Sequence, residues 1–421
     1  MAYTSFDPFR QQVTNEWDAD TDSTLRSKIG QTYLVWKEWR HTKPAARTAL
    51  LENLASVLQK KKESFAAIIV SEMGKPVTQA VAEVEKCAML CRYYATNLDL
   101  FLSRAFRVSQ SLNSYVRLDP QGIIMGIMPW NYPFWQVFRF LVPVLAGGNG
   151  AVLKHASNVT GCANAIESAL IEAGFPDSIF RVLLPSHDQM PGLISLPEIR
   201  GVALTGSNEA GSVIGSLAGK YFKKSVLELG GSDPFIVFND ADIPRAVTGA
   251  VTGRFQNCGQ SCIAAKRIIV HESVYDTFLE SFVSQVRSLK SGNPVDGEVF
   301  IGPLTSSSAA AEVDRQVKGT ASMGGKIVAG GSPGNNGPAF YEPTVITDIP
   351  AGSPMVTEEV FGPVAPVFRF ATTEEGVSIA NRTRFGLGAS VWTNDRKLAS
   401  RIAEQLDTGT VAINGFVRSD P

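Results

Sequence analysis

Ile123-Ile124-Met125-Gly126-Ile127-Met128-Pro129 is a short apolar run closed by a proline. Such a run reads as a strand buried in the middle of a sheet. The next hundred residues repeat the theme. Ala151-Val152-Leu153 is a second strand, followed by a helix around Cys162–Ala173 that Gly174 and Pro176 stop. Phe180–Leu184, Val202–Leu204 and Val226-Leu227 add strands, with a helix starting near Glu209. Strands alternating with helices imply right-handed crossovers and a parallel, doubly wound sheet, which binds ligands at the carboxyl ends of its strands.

Towards the N-terminus, residues 42–100 read as helices. Thr42 is the expected N-cap, Pro44 sits in the first turn, and Leu51, Leu54 and Leu58 recur at helical spacing. Gly74 and Pro76 stop one helix and Thr78 is placed to cap the next, which carries Cys87 and Cys91 on one face as core residues. Towards the C-terminus a second α/β series begins near Phe235–Phe238. It has a helix after Asp242, a strand Arg267–Val270 and an amphipathic helix with Phe278, Phe282, Val283 and Val286 on one side. Gly330–Gly337 is a surface loop. The domain boundary is expected around Leu229-Gly230-Gly231, and no internal repeat is visible.

The 421 residues are enough for two or three domains, and 44% hydrophobic with 19% charged residues fits a folded globular chain. Lysine plus arginine (39) nearly balances aspartate plus glutamate (40), so nothing points to nucleic acid or an anionic membrane. No apolar run reaches the roughly 18 residues of a membrane span, and the first residues lack the pattern of an export signal. Five cysteines in so long a chain are not a disulfide framework, which suggests a reducing, cytoplasmic setting.

Two stretches carry candidate chemistry. In Arg254-Phe255-Gln256-Asn257-Cys258-Gly259-Gln260-Ser261-Cys262, small residues leave a thiol approachable, although a free cysteine is also a common small core residue. Thr205-Gly206-Ser207-Asn208-Glu209-Ala210-Gly211 lies where a strand turns into a helix. It suits an anion at a helix N-terminus and equally suits a plain N-cap. There is no Gly-x-Gly-x-x-Gly after a strand and no P-loop.

Taken together, Glu72-Met73-Gly74-Lys75-Pro76, Pro129-Trp130-Asn131-Tyr132-Pro133, Lys154, Thr205-Gly206-Ser207, Leu227-Glu228-Leu229-Gly230-Gly231, Gly259-Gln260-Ser261-Cys262 and Glu359-Val360-Phe361-Gly362-Pro363 occur in the order seen in one known family. The chain resembles the aldehyde dehydrogenase superfamily from about residue 40 to about residue 415. Gly230–Val237 and Ala264–Arg267 are most similar to its bacterial succinate semialdehyde dehydrogenase branch.

The resemblance implies an α/β fold with a Rossmann-type cofactor domain (1–104 and 122–229), an α/β catalytic domain (230–413) and a small oligomerisation element (105–121 and 414–421). It makes Cys262 the nucleophile, Asn131 with the Cys262 N–H the oxyanion donors, and Glu228 the general base. Walled by Leu227 and Leu229, that carboxylate is expected to be desolvated. Trp130, Lys154, Ser157, Thr205, Gly206, Ser207, Gly211, Leu229, Glu359 and Phe361 would hold the cofactor. Many NAD-preferring members carry glutamate where Ser157 stands, so NADP is expected to be preferred and NAD usable. Arg139, in an apolar stretch, is either half of a structural ion pair or the anchor for a distal carboxylate, and Ser419 is named with it. Gln256 replaces an arginine that some relatives use, which keeps other semialdehydes open. Cys258, four residues before Cys262, is read as a redox partner or as a pocket-lining residue.

The partners implied are a small aldehyde and copies of the same chain, as a homodimer or homotetramer, with no metal. Members usually continue beyond Asn414-Gly415-Phe416 with a glycine-rich motif and a last strand. This sequence ends at Pro421, so an incomplete chain or an unusual end is expected, affecting assembly and one tunnel wall. A catalytically silent relative and a thiol hydrolase without nicotinamide are the competing classes. The set Asn131, Glu228 and Cys262 argues against the first. The four histidines, none in a suitable motif, argue against the second.

Overall fold

The computed structural model describes residues 2–103, 105–106 and 114–420. The chain opens with an antiparallel hairpin, β1 (Ala2–Asp7) and β2 (Gln12–Asp18), and then α1 (Asp22–Trp39). The hairpin has no apolar alternation to mark it, whereas α1 buries Leu25, Ile29, Trp36 and Trp39 at helical spacing. β1 is held by its polar residues: Ser5 is buried and its hydroxyl donates to Glu72. Three helices follow, α2 (Pro44–Lys60), α3 (Lys62–Met73) and α4 (Val77–Phe101). The expected caps shift. Lys43, not Thr42, occupies the N-cap of α2, because the residue before a proline is driven to extended backbone. Pro76 occupies that of α4, so Thr78 lies inside the first turn. Gly74 closes α3 with φ 73°, as its position predicted. Cys87 and Cys91 are fully buried on α4. A short ribbon, β3 (Ala105–Phe106) with β4 (Tyr115–Val116), comes next. The expected oligomerisation element 105–121 therefore falls partly outside the described residues.

The first sheet is parallel throughout. Its strands are β5 (Ile123–Met128), β6 (Gly150–His155), β7 (Phe180–Val182), β8 (Ile199–Thr205) and β9 (Lys224–Glu228), separated by α5 (Trp135–Ala146), α6 (Thr160–Glu172), α7 (Met190–Ser195) and α8 (Asn208–Lys220). The spatial order β7-β6-β5-β8-β9 means the chain winds one way from β5, then returns to wind the other. The crevice at that reversal, beyond the strand carboxyl ends, is where such sheets take ligands. β5 is buried nearly throughout, which is why its composition identified it so cleanly. α5, apolar on almost every side, is buried between the sheet and α4, and it carries Arg139.

The second sheet has the order β12-β13-β14-β11-β10-β15-β16 and is parallel except for its β12–β13 edge. In chain order these elements are β10 (Asp233–Val237), α9 (Ile243–Phe255), β11 (Ala265–His271), α10 (Glu272–Arg287), α11 (Ser307–Ser322), β12 (Lys326–Ala329), β13 (Thr344–Thr347), α12 (Pro354–Thr357), β14 (Val364–Phe370), α13 (Thr373–Asn381), β15 (Gly388–Trp392), α14 (Arg396–Ala403) and β16 (Thr410–Ile413). Asp242 caps α9 by accepting from Arg245 N. Phe278 and Phe282 of α10 are fully buried against the sheet, and burial of each such ring is worth about 1.5–3 kcal/mol. One sheet ends at Glu228 and the other starts at Asp233, and Gly230-Gly231 lie between them.

Candidate active site

α9 ends at Phe255 and the chain then takes an improbable path. Asn257 and Cys258 both have φ 55° and Gly259 has φ 70°. Left-handed backbone at non-glycine residues costs on the order of 1–3 kcal/mol and persists only where neighbours hold it. Here Asn257 Nδ2 donates to Asn131 O (2.8 Å) and Gln260 O (3.1 Å), and Asn257 N donates to Gln79 Oε1 (2.7 Å). At Gly259 a Cβ would collide with the Gly362 carbonyl. The turn brings Cys262 to the wall of a cavity of about 830 Å³, which Glu228, Arg139 and Ser419 also line. Cys258 faces elsewhere. Its sulfur donates to Gly302 O at 3.2 Å, it is 1% exposed, and burial pushes its thiol up to about 12. It neither lines the cavity nor has the solvent access that the redox expectation needs.

Asn131 follows β5 and is nearly completely buried, with Nδ2 donating to Gln260 O at 3.0 Å. Two amides, Asn131 and Asn257, thus bracket the carbonyl just before the nucleophile segment. The Asn131 loop is held from both sides. His155 of β6 accepts from Ala156 N through Nδ1 (3.0 Å), and its Nε2 contacts Pro133 O at 2.9 Å. Burial lowers this imidazole to about 4, so near neutral pH it is uncharged; Nδ1 also lies 3.1 Å from Met128 O. On the other side, Glu83 accepts from Phe134 N (2.9 Å) and Trp135 N (3.0 Å) at the start of α5. The fully buried Lys75 pairs with Glu83 and sits 3.7 Å from the centre of the Tyr132 ring. Glu72 likewise accepts from Gly161 N and Cys162 N at the start of α6. The Glu72–Pro76 motif therefore buttresses two helix N-termini, a role its sequence does not declare.

A second residue missed in the sequence is Lys266. Its ammonium is almost completely buried and donates to Ser261 O (2.6 Å), Cys262 O (2.8 Å) and Glu359 Oε1 (2.9 Å). Glu359 also accepts from Gly231 N at 3.2 Å. A Cβ at Gly231 would strike the Cys262 carbonyl, so glycine is required where β9 runs on past the nucleophile. One cation thus ties the nucleophile segment, the end of β9 and Glu359 together. Burial holds the Cys262 thiol above its ordinary value; the Lys266 charge pulls it down, while Asp233 and Glu359 push it up. The signal for Lys266 is a lysine beside Arg267 at the start of a strand that continues as Ile268-Ile269-Val270.

Glu228 departs from expectation. It is the last residue of β9, and its side chain is 37% exposed. Leu227 is also 37% exposed and Val226 63%; β9 is an edge strand whose first four residues are all exposed. The apolar walls that its neighbours suggested are therefore not there. Instead Arg139 Nη2 lies 3.7 Å from Glu228 Oε1. Arg139 is itself 34% exposed, not buried; it projects from α5 into the cavity, where Trp135 Nε1 donates to the Ser419 hydroxyl at 3.1 Å. Gln256 and Arg418 also line this space, and the Arg418 guanidinium stacks 4.5 Å from the centre of the Phe416 ring.

The expected cofactor residues gather at the carboxyl edge of the first sheet. Thr205 ends β8 beside Glu228, and Gly206 N donates to Glu228 O at 3.0 Å. Ser207 is the N-cap of α8 and accepts from Ala210 N at 3.2 Å. Gly211 packs against Leu229. Trp130 and Phe361 meet edge-to-face at 5.8 Å. Lys154 lies in β6 and Ser157, just beyond that strand, is exposed. Burial alone pushes the Lys154 ammonium down, and among the described residues no carboxylate pairs with it. A part-buried cation with no counter-ion among the described residues, an exposed hydroxyl and the N-terminus of α8 are the donor set of a phosphorylated dinucleotide, so the residues present fit that cofactor.

The sequence matches the aldehyde dehydrogenase family over residues 1–421. It is 42% identical to succinate-semialdehyde dehydrogenase [NADP(+)] 1 of Mycobacterium tuberculosis over 425 aligned residues, covering 100% of this chain and 93% of that one. It is 40% identical to a probable succinate-semialdehyde dehydrogenase [NADP(+)] of Synechocystis sp., with the same coverage. The fold superposes with a TM-score of 0.97 on succinic semialdehyde dehydrogenase from Streptococcus pyogenes in complex with NADP+. That protein is 34% identical, with 100% of this chain and 92% of the other covered. With the two sheets, the strained cysteine turn and the motif order in place, the chain belongs to the aldehyde dehydrogenase family.

Proposed function

We propose that this enzyme oxidises succinate semialdehyde to succinate, with NADP+ preferred as acceptor and NAD+ usable. The observation that carries the reading is a single cavity lined by a thiol, a carboxylate and a guanidinium, next to a sheet edge where Lys154 has no counter-ion among the described residues. The relatives named for this substrate and for NADP(+) support it.

In this mechanism the Cys262 thiolate adds to the aldehyde carbon. Asn131 Nδ2 and the Cys262 N–H donate to the oxygen that becomes charged, each such donor being worth about 2.7–4 kcal/mol. A nicotinamide, when bound, would supply the two-electron acceptor for the hydride; the acyl group then remains on Cys262 as a thioester. Lys154 and Ser157 would hold the 2′-phosphate, Thr205, Gly206, Ser207 and Gly211 would receive the pyrophosphate, and Glu359, Trp130, Phe361 and Leu229 would frame the nicotinamide half. Glu228 then takes one proton from a water whose oxygen attacks the acyl carbon. The C–S bond breaks with its electrons going to sulfur, and the acid leaves. Arg139 and Ser419 receive the distal carboxylate. Gln256 in the cavity wall favours one second reading, a related semialdehyde of different length.

The same proposal includes a cofactor unit (1–104 and 122–229), a catalytic unit (230–413) and assembly through 105–121 and 414–421 into a homodimer or homotetramer. Exposed Met89, Tyr93 and Leu100 on α4 support association. Five unpaired cysteines suit a reducing cytoplasm, and no helix among the described residues is long and apolar enough to cross a membrane. The test is reduced-cofactor absorbance with succinate semialdehyde and with butanal, for the native protein and Cys262→Ser. Turnover by the serine variant at the native rate, or equal efficiency with butanal, would overturn the assignment.

A further inference from the structure

We propose that Arg139 couples recognition of an anionic substrate to release of Glu228, so that carboxylate binding switches on hydrolysis of the acyl-enzyme. The inference rests on the proposed roles of Glu228 and Arg139 and adds a link between them. One guanidinium serves two carboxylates in turn. Without substrate, its ion-pair partner among the described residues is Glu228, at 3.7 Å, and its other contact is Gln136 Oε1 at 3.5 Å. The remaining charged groups lining this cavity are otherwise engaged. Lys86 pairs with Asp420 at 3.1 Å, Glu83 pairs with Lys75, and Arg418 stacks on Phe416.

The Arg139–Glu228 contact is long, part-exposed and not a hydrogen bond, so it is easily exchanged. A carboxylate that enters and grips Arg139 through two parallel N–H···O bonds makes the stronger contact and displaces Glu228. Both residues are on rigid elements, α5 and the end of β9, so only side chains have to move. The freed carboxylate then turns from the guanidinium to the water beside the Cys262 acyl group. Its chemistry is the step already given: one proton moves from water to Glu228, a C–O bond forms and the C–S bond breaks. A neutral acyl group leaves Arg139 holding the base, so its thioester persists longer.

The experiment isolates that step. Cys262 is acetylated with p-nitrophenyl acetate, excess reagent is removed, and loss of the acetyl group is followed by mass spectrometry with and without succinate. In the native protein succinate should shorten the acetyl-enzyme lifetime about two- to fivefold, the range set by a part-exposed ion pair. Arg139→Gln should show the short lifetime without succinate and no further response. Arg139→Lys, which keeps a cation, should stay slow and responsive. A native lifetime indifferent to succinate, or an Arg139→Gln lifetime equal to or longer than native, overturns the coupling. Glu228→Gln separates the two levels. A long, succinate-independent lifetime leaves Glu228 as the base whatever Arg139 does. A native lifetime in that variant removes the base assignment and the coupling with it.

Discussion

Replacing Lys266 by methionine tests whether one buried cation organises the site. The side chains are close in length, so the change deletes the ammonium and little volume. Three acceptors lose the ammonium: Ser261 O, Cys262 O and Glu359 Oε1, at 2.6, 2.8 and 2.9 Å in the native structure. Ser261 O keeps Ala264 N (3.3 Å) and Glu359 keeps Gly231 N (3.2 Å), so the Cys262 carbonyl is the one most exposed to the loss. Each buried acceptor left unsatisfied costs about 1–3 kcal/mol, while the desolvation of the ammonium itself is relieved. Removing one partner of a buried pair typically costs about 3–5 kcal/mol. Glu359 keeps some water, its side chain being 23% exposed, which places the expectation at about 3 kcal/mol. The chemical effect has a definite sign. Lys266 is the main charge that opposes burial at the Cys262 thiol, so its loss raises that thiol further. Alkylation of Cys262 by iodoacetamide at neutral pH should slow, and its pH profile should move to higher pH. Urea unfolding and the alkylation profile are the two readouts. A variant within about 0.5 kcal/mol of native stability, the range of an ordinary surface change, with an unmoved alkylation profile would refute the clamp.

Three further outcomes are expected. Ser157→Glu gives Lys154 a carboxylate partner and sets a negative charge against a 2′-phosphate; two charges ~5 Å apart at an effective dielectric of ~20 repel by roughly 3 kcal/mol. Water at this exposed position weakens that, so the kcat/KM ratio of NADP+ over NAD+ should fall at least about tenfold, and an unchanged ratio would count against the Lys154–Ser157 reading. His155 titrates at about 4 in the folded chain, below the ordinary value of ~6.5, so its contribution is full above pH ~6.5 and is lost as pH falls through about 4, up to about 3 kcal/mol. His155→Gln should remove this acid-sensitive part, and parallel stability–pH curves for variant and native would contradict it. Peroxide should modify Cys262 while Cys258 stays reduced, since the latter is buried against Gly302 O; a Cys258–Cys262 disulfide in the peptide map would reverse this.

The chain's own residues determined the fold class because the decisive strands are buried throughout. β5 is a continuous apolar run and β10 is one from Pro234 on, and such runs need no partner to be recognised. Motif order likewise brought Asn131, Glu228 and Cys262 together before any coordinates. The hairpin β1–β2 stayed hidden because it owes its position to polar contacts with distant segments, such as Ser5 with Glu72, whereas α1 does bury an apolar stripe of Leu25, Ile29, Trp36 and Trp39. Tertiary structure alone decided the environments. Leu227 and Leu229 suggested an enclosed Glu228, but β9 is an edge strand, so that carboxylate meets solvent and Arg139 instead. Cys258 is near Cys262 in sequence, yet three left-handed residues turn its sulfur towards Gly302. Local pattern reports which residues seek burial. What stands opposite a charge is set by contacts between segments far apart in the chain, as with Glu83 at the Phe134 N–H beside the Asn131 loop or Lys266 between Cys262 and Glu359.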